Sequence, residues 1–213
     1  MNEVLWMHTD AVSDPDVFGR AFDRMPPERR KKILAFRFEK DRRLSLCAGI
    51  LLEEALRRAD VRHARIAAGT YGKPFLADRA DIHFNLTHSG QIAAIAVSDR
   101  PVGIDAERCQ HFEDVLLQRV FLPSELAEAL SDRDTFHTTL WTVKESLMKL
   151  FGTGLSLDPK DIRVSFFPYV HAYSEGYDCA DLRFTTRLID GHVLTVCSAY
   201  DPFADRFERF DLK

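Results

Sequence analysis

Three short stretches of this chain combine residue types and spacings that can do chemistry. The first is Phe136 to Gly154, FHTTLWTVKESLMKLFGTG, where Glu145 and Lys149 stand four residues apart. On a helix that spacing sets a carboxylate and an ammonium one turn from each other on one face. The second is Pro101 to Glu107, PVGIDAE, with Asp105 and Glu107 two residues apart. In a strand both carboxylates then share a face. Adjacent carboxylates repel and raise each other's pKa, a penalty that a cation between them removes. Oxygen donors of this kind suit Mg²⁺, which takes one or two carboxylates and fills its shell with waters and phosphate oxygens. The third is Arg24 to Arg43, with nine Lys or Arg against Glu28, Glu39 and Asp41 in a chain of net charge −4. A local excess of six positive charges in an acidic chain fits phosphates or an acidic partner. Each stretch also has a plain reading. A lone Glu–Lys pair on a helix contributes only about 0.2–0.5 kcal/mol, two acids can end an exposed strand, and a basic run can be a solvated helix face.

Regular elements must hold these groups. Leu140, Val143, Leu147, Leu150 and Phe151 recur at three- and four-residue spacing, which predicts an amphipathic helix over 134–151 with Glu145 and Lys149 turned away from the apolar stripe. Gly152 and Gly154 end it. Val102, Ile104 and Ala106 alternate with the two carboxylates, which predicts a strand over 102–106 with one face in a core. Pro26-Pro27 opens the basic helix, and a longer helix follows over 41–59, with Leu44, Cys47, Leu51, Ala55 and Leu56 on one face. A strand over 3–8, a helix over 14–23 and a turn at Tyr71-Gly72-Lys73-Pro74 are expected. Strands over 82–86 and 91–98 are expected to be broken by Thr87-His88-Ser89-Gly90. Short helices are expected over 113–120 and 123–130, then strands over 161–167, 181–189, 192–200 and 206–211, with Asp190-Gly191 as a hairpin turn. Ser98 to Pro101 is the one plausible internal boundary. It divides the chain into residues 1–100 and 101–213, and the second part loosely repeats the first. The expected class is α+β, with two similar halves related by a pseudo-twofold.

A chain of 213 residues, 46% hydrophobic and 29% charged, has the balance of a globular protein. No apolar run approaches the roughly 20 residues that cross a bilayer, and the start, MNEVLWMHTD, is not a secretory signal. Cys47, Cys109, Cys179 and Cys197 fit neither a zinc nor a CxxC spacing. Free thiols in the cytoplasm are expected, with no membrane partner and, from the net charge, no nucleic acid.

Several of these signals stand in a fixed order: Tyr71-Gly72-Lys73-Pro74, Phe84-Asn85-Leu86-Thr87-His88-Ser89, Gly103-Ile104-Asp105-Ala106-Glu107, and Trp141 to Lys149. The set resembles the 4′-phosphopantetheinyl transferases of the surfactin-synthetase (Sfp) type. Their patterns are a GKP turn, an FNxSHS segment, a GIDxE strand and a WxxKExxxK helix. The resemblance runs from about Pro26 to Leu157.

The resemblance implies two α/β halves with the site in the cleft between them. It implies Mg²⁺-dependent transfer of the phosphopantetheine arm of coenzyme A to a serine of an acyl or peptidyl carrier protein. The other product would be adenosine 3′,5′-bisphosphate. By resemblance, Asp105, Glu107 and Glu145 hold the metal. Glu145 also accepts the serine proton, directly or through water, with a metal-held water as the alternative base. Lys149 meets the phosphate oxygens. Lys32, Ser45, Lys73, Thr87, His88 and Lys144 are implied coenzyme A contacts, with His88 at the 3′-phosphate and Lys73 at the nucleotide. Thr87 keeps the hydroxyl of the family's usual Ser. Arg29 and Arg42 are further candidates, and Glu125 matches an acidic residue near the site. The helices over 113–130 and the basic stretch are the expected carrier-docking surfaces. A monomer is expected, since one chain would contain both halves. Two other readings stand beside the transferase. One is a non-catalytic coenzyme A or carrier-binding module on the same fold. The other is a Mg²⁺-dependent nucleotide hydrolase, against which stands the absence of a GxxxxGK[ST] loop.

Overall fold

Element order repeats along the chain: strand, three helices, four strands, and then the same again. A computed structural model describes residues 2–128, 132–200 and 203–212. The first round is β1 (Glu3–His8), α1 (Pro15–Arg24), α2 (Pro27–Ala35), α3 (Glu39–Arg58), β2 (Ile66–Ala68), β3 (Pro74–Leu76), β4 (His83–Ser89) and β5 (Ile92–Ser98). The second is β6 (Val102–Arg108), α4 (Asp114–Val120), α5 (Pro123–Leu126), α6 (Arg133–Phe151), β7 (Ile162–Ser165), β8 (His171–Ser174), β9 (Leu182–Ile189) and β10 (His192–Ala199). A last strand, β11 (Phe207–Arg209), returns to the first sheet and runs parallel to β1.

The pairing repeats too. The first strand of each round is antiparallel to the last, β1 with β5 and β6 with β10. The last strand also forms a hairpin with the one before it, β4 with β5 and β9 with β10. The sheets are β11-β1-β5-β4 and β6-β10-β9, with β2–β3 and β7–β8 as separate hairpins. The fold is α+β in two similar halves.

Three apolar clusters follow from strand alternation. Ala93, Ile95 and Val97 of β5 face α3 through Leu46, Cys47 and Leu51. Ile92, Ala94 and Ala96 face the other way and meet Val102, Ile104, Ala106, Leu194 and Val196 of the second sheet. Strand β5 is therefore buried on both faces, which is why IAAIAVS shows no alternation. The third cluster holds the apolar stripe of α6: Leu140, Val143, Leu147 and Leu150.

Helix α6 has the predicted apolar stripe but is buried on more than that side. Thr138, Thr142, Lys144 and Ser146 are buried as well as the stripe. The side that carries Glu145, Ser146 and Lys149 lies on β6, and Gly103 makes the contact possible. A Cβ at Gly103 would stand 2.0 Å from the Ser146 carbonyl oxygen and 2.5 Å from the Leu150 nitrogen. The missing side chain lets two backbones touch. Asp132 caps the helix start by accepting from Thr135 N, and Gly152, at φ 70°, ends it.

Two further expectations change. Thr87-His88-Ser89 does not break a strand but completes β4, and the hairpin turns at Gly90-Gln91 instead. The helix expected over 123–130 has regular turns only over Pro123–Leu126, and residues 129 and 130 lie outside the described ones. Strands β2, β3 and β8 are too short to leave a periodic signal. The expected turn at Asp190-Gly191 is present with both residues at positive φ, 48° and 72°, the backbone that Asp-Gly hairpins adopt. All four cysteines are free. Among the described residues no helix is long and apolar enough to cross a membrane.

Candidate active site

The repeat leaves a seam between the two sheets, and the cleft lies there. A cavity of about 350 Å³ is lined by Arg29 and Lys32 of α2, Ser45 of α3, Thr87 and His88 of β4, Asp105 and Glu107 of β6, and Glu145 and Lys149 of α6. The first half contributes Arg29, Lys32 and His88, and the second half the three carboxylates together with Lys149. Phe36, Ala48, Pro74 and Leu86 supply apolar surface.

On the acidic wall, the period of β6 points Asp105 and Glu107 to one side while Ile104 and Ala106 enter the core between the sheets. Glu145 and Lys149, one helical turn apart, face them. Lys149 Nζ lies 2.5 Å from Asp105 Oδ1 and 3.6 Å from Glu145 Oε2, and donates to Thr87 Oγ1 at 3.2 Å. Asp105 Oδ2 is buried with no hydrogen-bond partner. Burial and the neighbouring Asp105 charge raise the Glu145 pKa to about 7, with Lys149 only partly offsetting them. Burial also raises Glu107, while a hydrogen bond from Ser89 pulls the other way. Burial alone would lower Lys149, but Asp105, Glu145 and Glu107 more than offset it, so its ammonium is held above the usual lysine value. Among the described residues no group of three or more His, Cys, Asp or Glu side chains is arranged to hold a metal ion.

On the basic wall, Arg29 donates through Nη2 to the Ser45 carbonyl at 2.5 Å, while its Nε and Ser45 Oγ have no partner. Burial lowers the pKa of Arg29, and burial with the Arg29 charge lowers Lys32. Burial, then Lys149, Lys32 and Arg29, lower His88. Arg29, Lys32 and His88 thus gather cationic and protonatable groups on one wall.

Not every predicted residue reaches this cavity. Lys73 Nζ donates to the carbonyls of Val102 and Leu150, both at 2.9 Å, and so ties the turn before β3 to the start of β6 and the end of α6. Its burial lowers its pKa to about 8. Lys144 is fully buried. Its ammonium contacts Glu125 Oε2 at 2.8 Å and the carbonyls of Pro159 at 2.9 Å and Val120 at 3.2 Å. Glu125 also accepts from Leu122 N and Val164 N. Glu125 and Lys144 thus clasp α5 and β7 to α6, outside the cleft. Arg42 donates to the Phe36 carbonyl at the end of α2. Arg29, by contrast, enters the cavity, as a residue one helical turn before Lys32 should.

One cavity thus places Arg29, Lys32 and His88 opposite Asp105, Glu107 and Glu145. Comparisons with known proteins identify the family. Residues 101–197 match the family described as the 4′-phosphopantetheinyl transferase superfamily. Residues 13–100 match the family described as 4′-phosphopantetheinyl transferase, N-terminal. A 4′-phosphopantetheinyl transferase of Bacillus subtilis is 31% identical over 191 residues, 85% of each chain. The 4′-phosphopantetheinyl transferase Sfp of Bacillus subtilis strain 168 is 29% identical over 84% of each chain. A relative from Candida glabrata, an L-aminoadipate-semialdehyde dehydrogenase-phosphopantetheinyl transferase, is 27% identical over 90% of this chain and 80% of its own. The chain belongs to the 4′-phosphopantetheinyl transferases, enzymes that transfer a phosphopantetheine group.

Proposed function

We propose that the chain takes the 4′-phosphopantetheine arm from coenzyme A, attaches it to a serine of an apo acyl or peptidyl carrier protein, and releases adenosine 3′,5′-bisphosphate. One observation carries this reading: a cationic wall and a carboxylate wall, one from each half, face a single cavity. In it, residues 1–100 bind the nucleotide and its phosphates, and residues 101–213 supply the carboxylates and the catalytic helix. Because one chain provides both walls, a monomer is sufficient.

The residues present fit a hard divalent cation. Asp105 Oδ2 lacks a partner, and Asp105, Glu107 and Glu145 offer oxygen donors that otherwise repel one another. A Mg²⁺ site ordinarily uses one or two carboxylates and completes itself with substrate phosphates, so it needs no preformed cluster. Asp105, Glu107 and Glu145 would hold the ion, and bound there Mg²⁺ would neutralise and orient the pyrophosphate.

The remaining work falls to side chains. Arg29, Lys32, Ser45 and His88 hold the 3′-phosphate, with His88 protonated when the phosphate is bound. Lys149 offers its ammonium to the charge that builds on the transferred phosphate, where positioned charge is the main source of rate. Glu145 accepts the serine proton at a carboxylate oxygen, directly or through a water. The basic stretch and α4, which exposes Val115 and Leu116, form the docking surface for an acidic carrier. Incubation with coenzyme A, Mg²⁺ and apo carrier protein tests the reading. The intact mass of the carrier must rise by one arm, and chelator must prevent it.

A further inference from the structure

Strand β6 pairs with β10 along one edge, and its other edge faces β4, which belongs to the other sheet. Edge N–H groups in such a seam must find other partners. Three of them do so in a regular way. The N–H groups of Ile104, Ala106 and Arg108 donate to Asn85 Oδ1 at 2.8 Å, Thr87 Oγ1 at 3.1 Å and Ser89 Oγ at 3.2 Å. The partners alternate on both strands with a constant offset of 19 residues. Side chains of β4 thus stand in for the backbone ladder that would otherwise join two strands.

Two of the three rungs have a second bond. Thr87 Oγ1 donates to Asp105 Oδ1 at 3.2 Å, and Ser89 Oγ donates to Glu107 Oε2 at 2.7 Å. A hydroxyl has a single hydrogen. Because each accepts from a β6 amide, its hydrogen is free for the neighbouring carboxylate. The amide orients the hydroxyl, and the hydroxyl orients the acid. Thr87 lines the cavity and Ser89 does not, so Ser89 acts on the cleft through Glu107.

We propose that Ser89 is a positioning residue: held by the Arg108 amide, it aims the Glu107 carboxylate at the divalent cation, as Thr87 aims Asp105. This rests on the transferase reading above. The hydrogen-bond partners of metal-ligating carboxylates typically change metal affinity by about 10–100-fold when removed.

The test is titration of Mn²⁺ into the coenzyme A-saturated protein, followed calorimetrically for wild type, Ser89→Ala and Ser89→Thr. Arg108 is exposed, so water can satisfy its amide when Ser89 is lost and the fold is retained. Ser89→Ala weakens Mn²⁺ binding by about tenfold or more with KM for coenzyme A little changed, and Ser89→Thr restores it. Equal Mn²⁺ affinity in Ser89→Ala and wild type overturns the proposal, as does a Ser89→Thr variant no better than Ser89→Ala. If wild type transfers the arm yet binds no Mn²⁺, this inference falls and the transferase reading stands. If wild type modifies no carrier at all, the reading beneath fails and takes this inference with it.

Discussion

Lys149 donates to Asp105 across 2.5 Å and so joins α6 to β6 in the floor of the cleft. The pair explains why three carboxylates tolerate one another in a half-buried site. The ammonium offsets part of their repulsion, and Gly103 lets α6 sit low enough on β6 to bring it there. Lys149→Ala removes this charge. The expected result is a fall in kcat of about 10²-fold with KM for coenzyme A little changed, measured under saturating carrier. An unchanged kcat removes Lys149 from the chemistry.

Glu145 makes stability depend on pH. Its folded pKa, about 7, stands above the usual value of 4.5. A raised acid contributes its full stability below the unfolded pKa and loses it as pH rises through the folded one. In chelator, the wild-type melting temperature should therefore fall between about pH 4.5 and 7 relative to that of Glu145→Gln. Parallel curves for the two proteins would contradict the raised pKa.

His88 gives coenzyme A binding a pH dependence of its own. Burial and neighbouring cations lower its pKa in the free protein, and a bound phosphate raises it. Binding then takes up a proton, so preference for coenzyme A over 3′-dephospho-coenzyme A should grow as pH falls through the histidine range. His88→Ala should weaken coenzyme A by about tenfold, spare the dephospho form and flatten the pH trend. Equal losses for both ligands would mean that His88 does not meet the 3′-phosphate.

Gly103→Ala should be more harmful than its size suggests, because the added methyl would meet backbone atoms of α6 at 2.0 and 2.5 Å. A loss of about 3 kcal/mol or more is expected in urea unfolding. Leu147→Ala, a buried cavity substitution on the same helix, should cost about 2–5 kcal/mol. A near-neutral Gly103→Ala would mean that α6 does not bear on β6.

The sequence made parts of this legible for physical reasons. Strand period aligned Asp105 with Glu107, helix period aligned Glu145 with Lys149, and Asp190-Gly191 marked its hairpin. Other parts were hidden. Lys144 and Glu145 are chain neighbours that point to different surroundings, and α6 is buried too completely for a polar–apolar stripe to separate them. Lys73 has the right type for a nucleotide contact, but its ammonium is taken by two carbonyls far apart in sequence. Polar Thr87-His88-Ser89 reads as a strand break because the hydroxyls of Thr87 and Ser89 meet amides on β6, which no local pattern reveals. The alternation of Asn85, Thr87 and Ser89 was the available signal.

The most direct measurement pairs two masses in one reaction. Apo acyl carrier and apo peptidyl carrier proteins are each incubated with coenzyme A, Mg²⁺ and either wild type or Glu145→Gln, and carrier mass and free adenosine 3′,5′-bisphosphate are read together. The account predicts one arm per carrier and one bisphosphate per arm with wild type, and neither with Glu145→Gln, which remains folded. Coenzyme A bound without a mass gain on either carrier, or a Glu145→Gln enzyme that still transfers the arm, would contradict it.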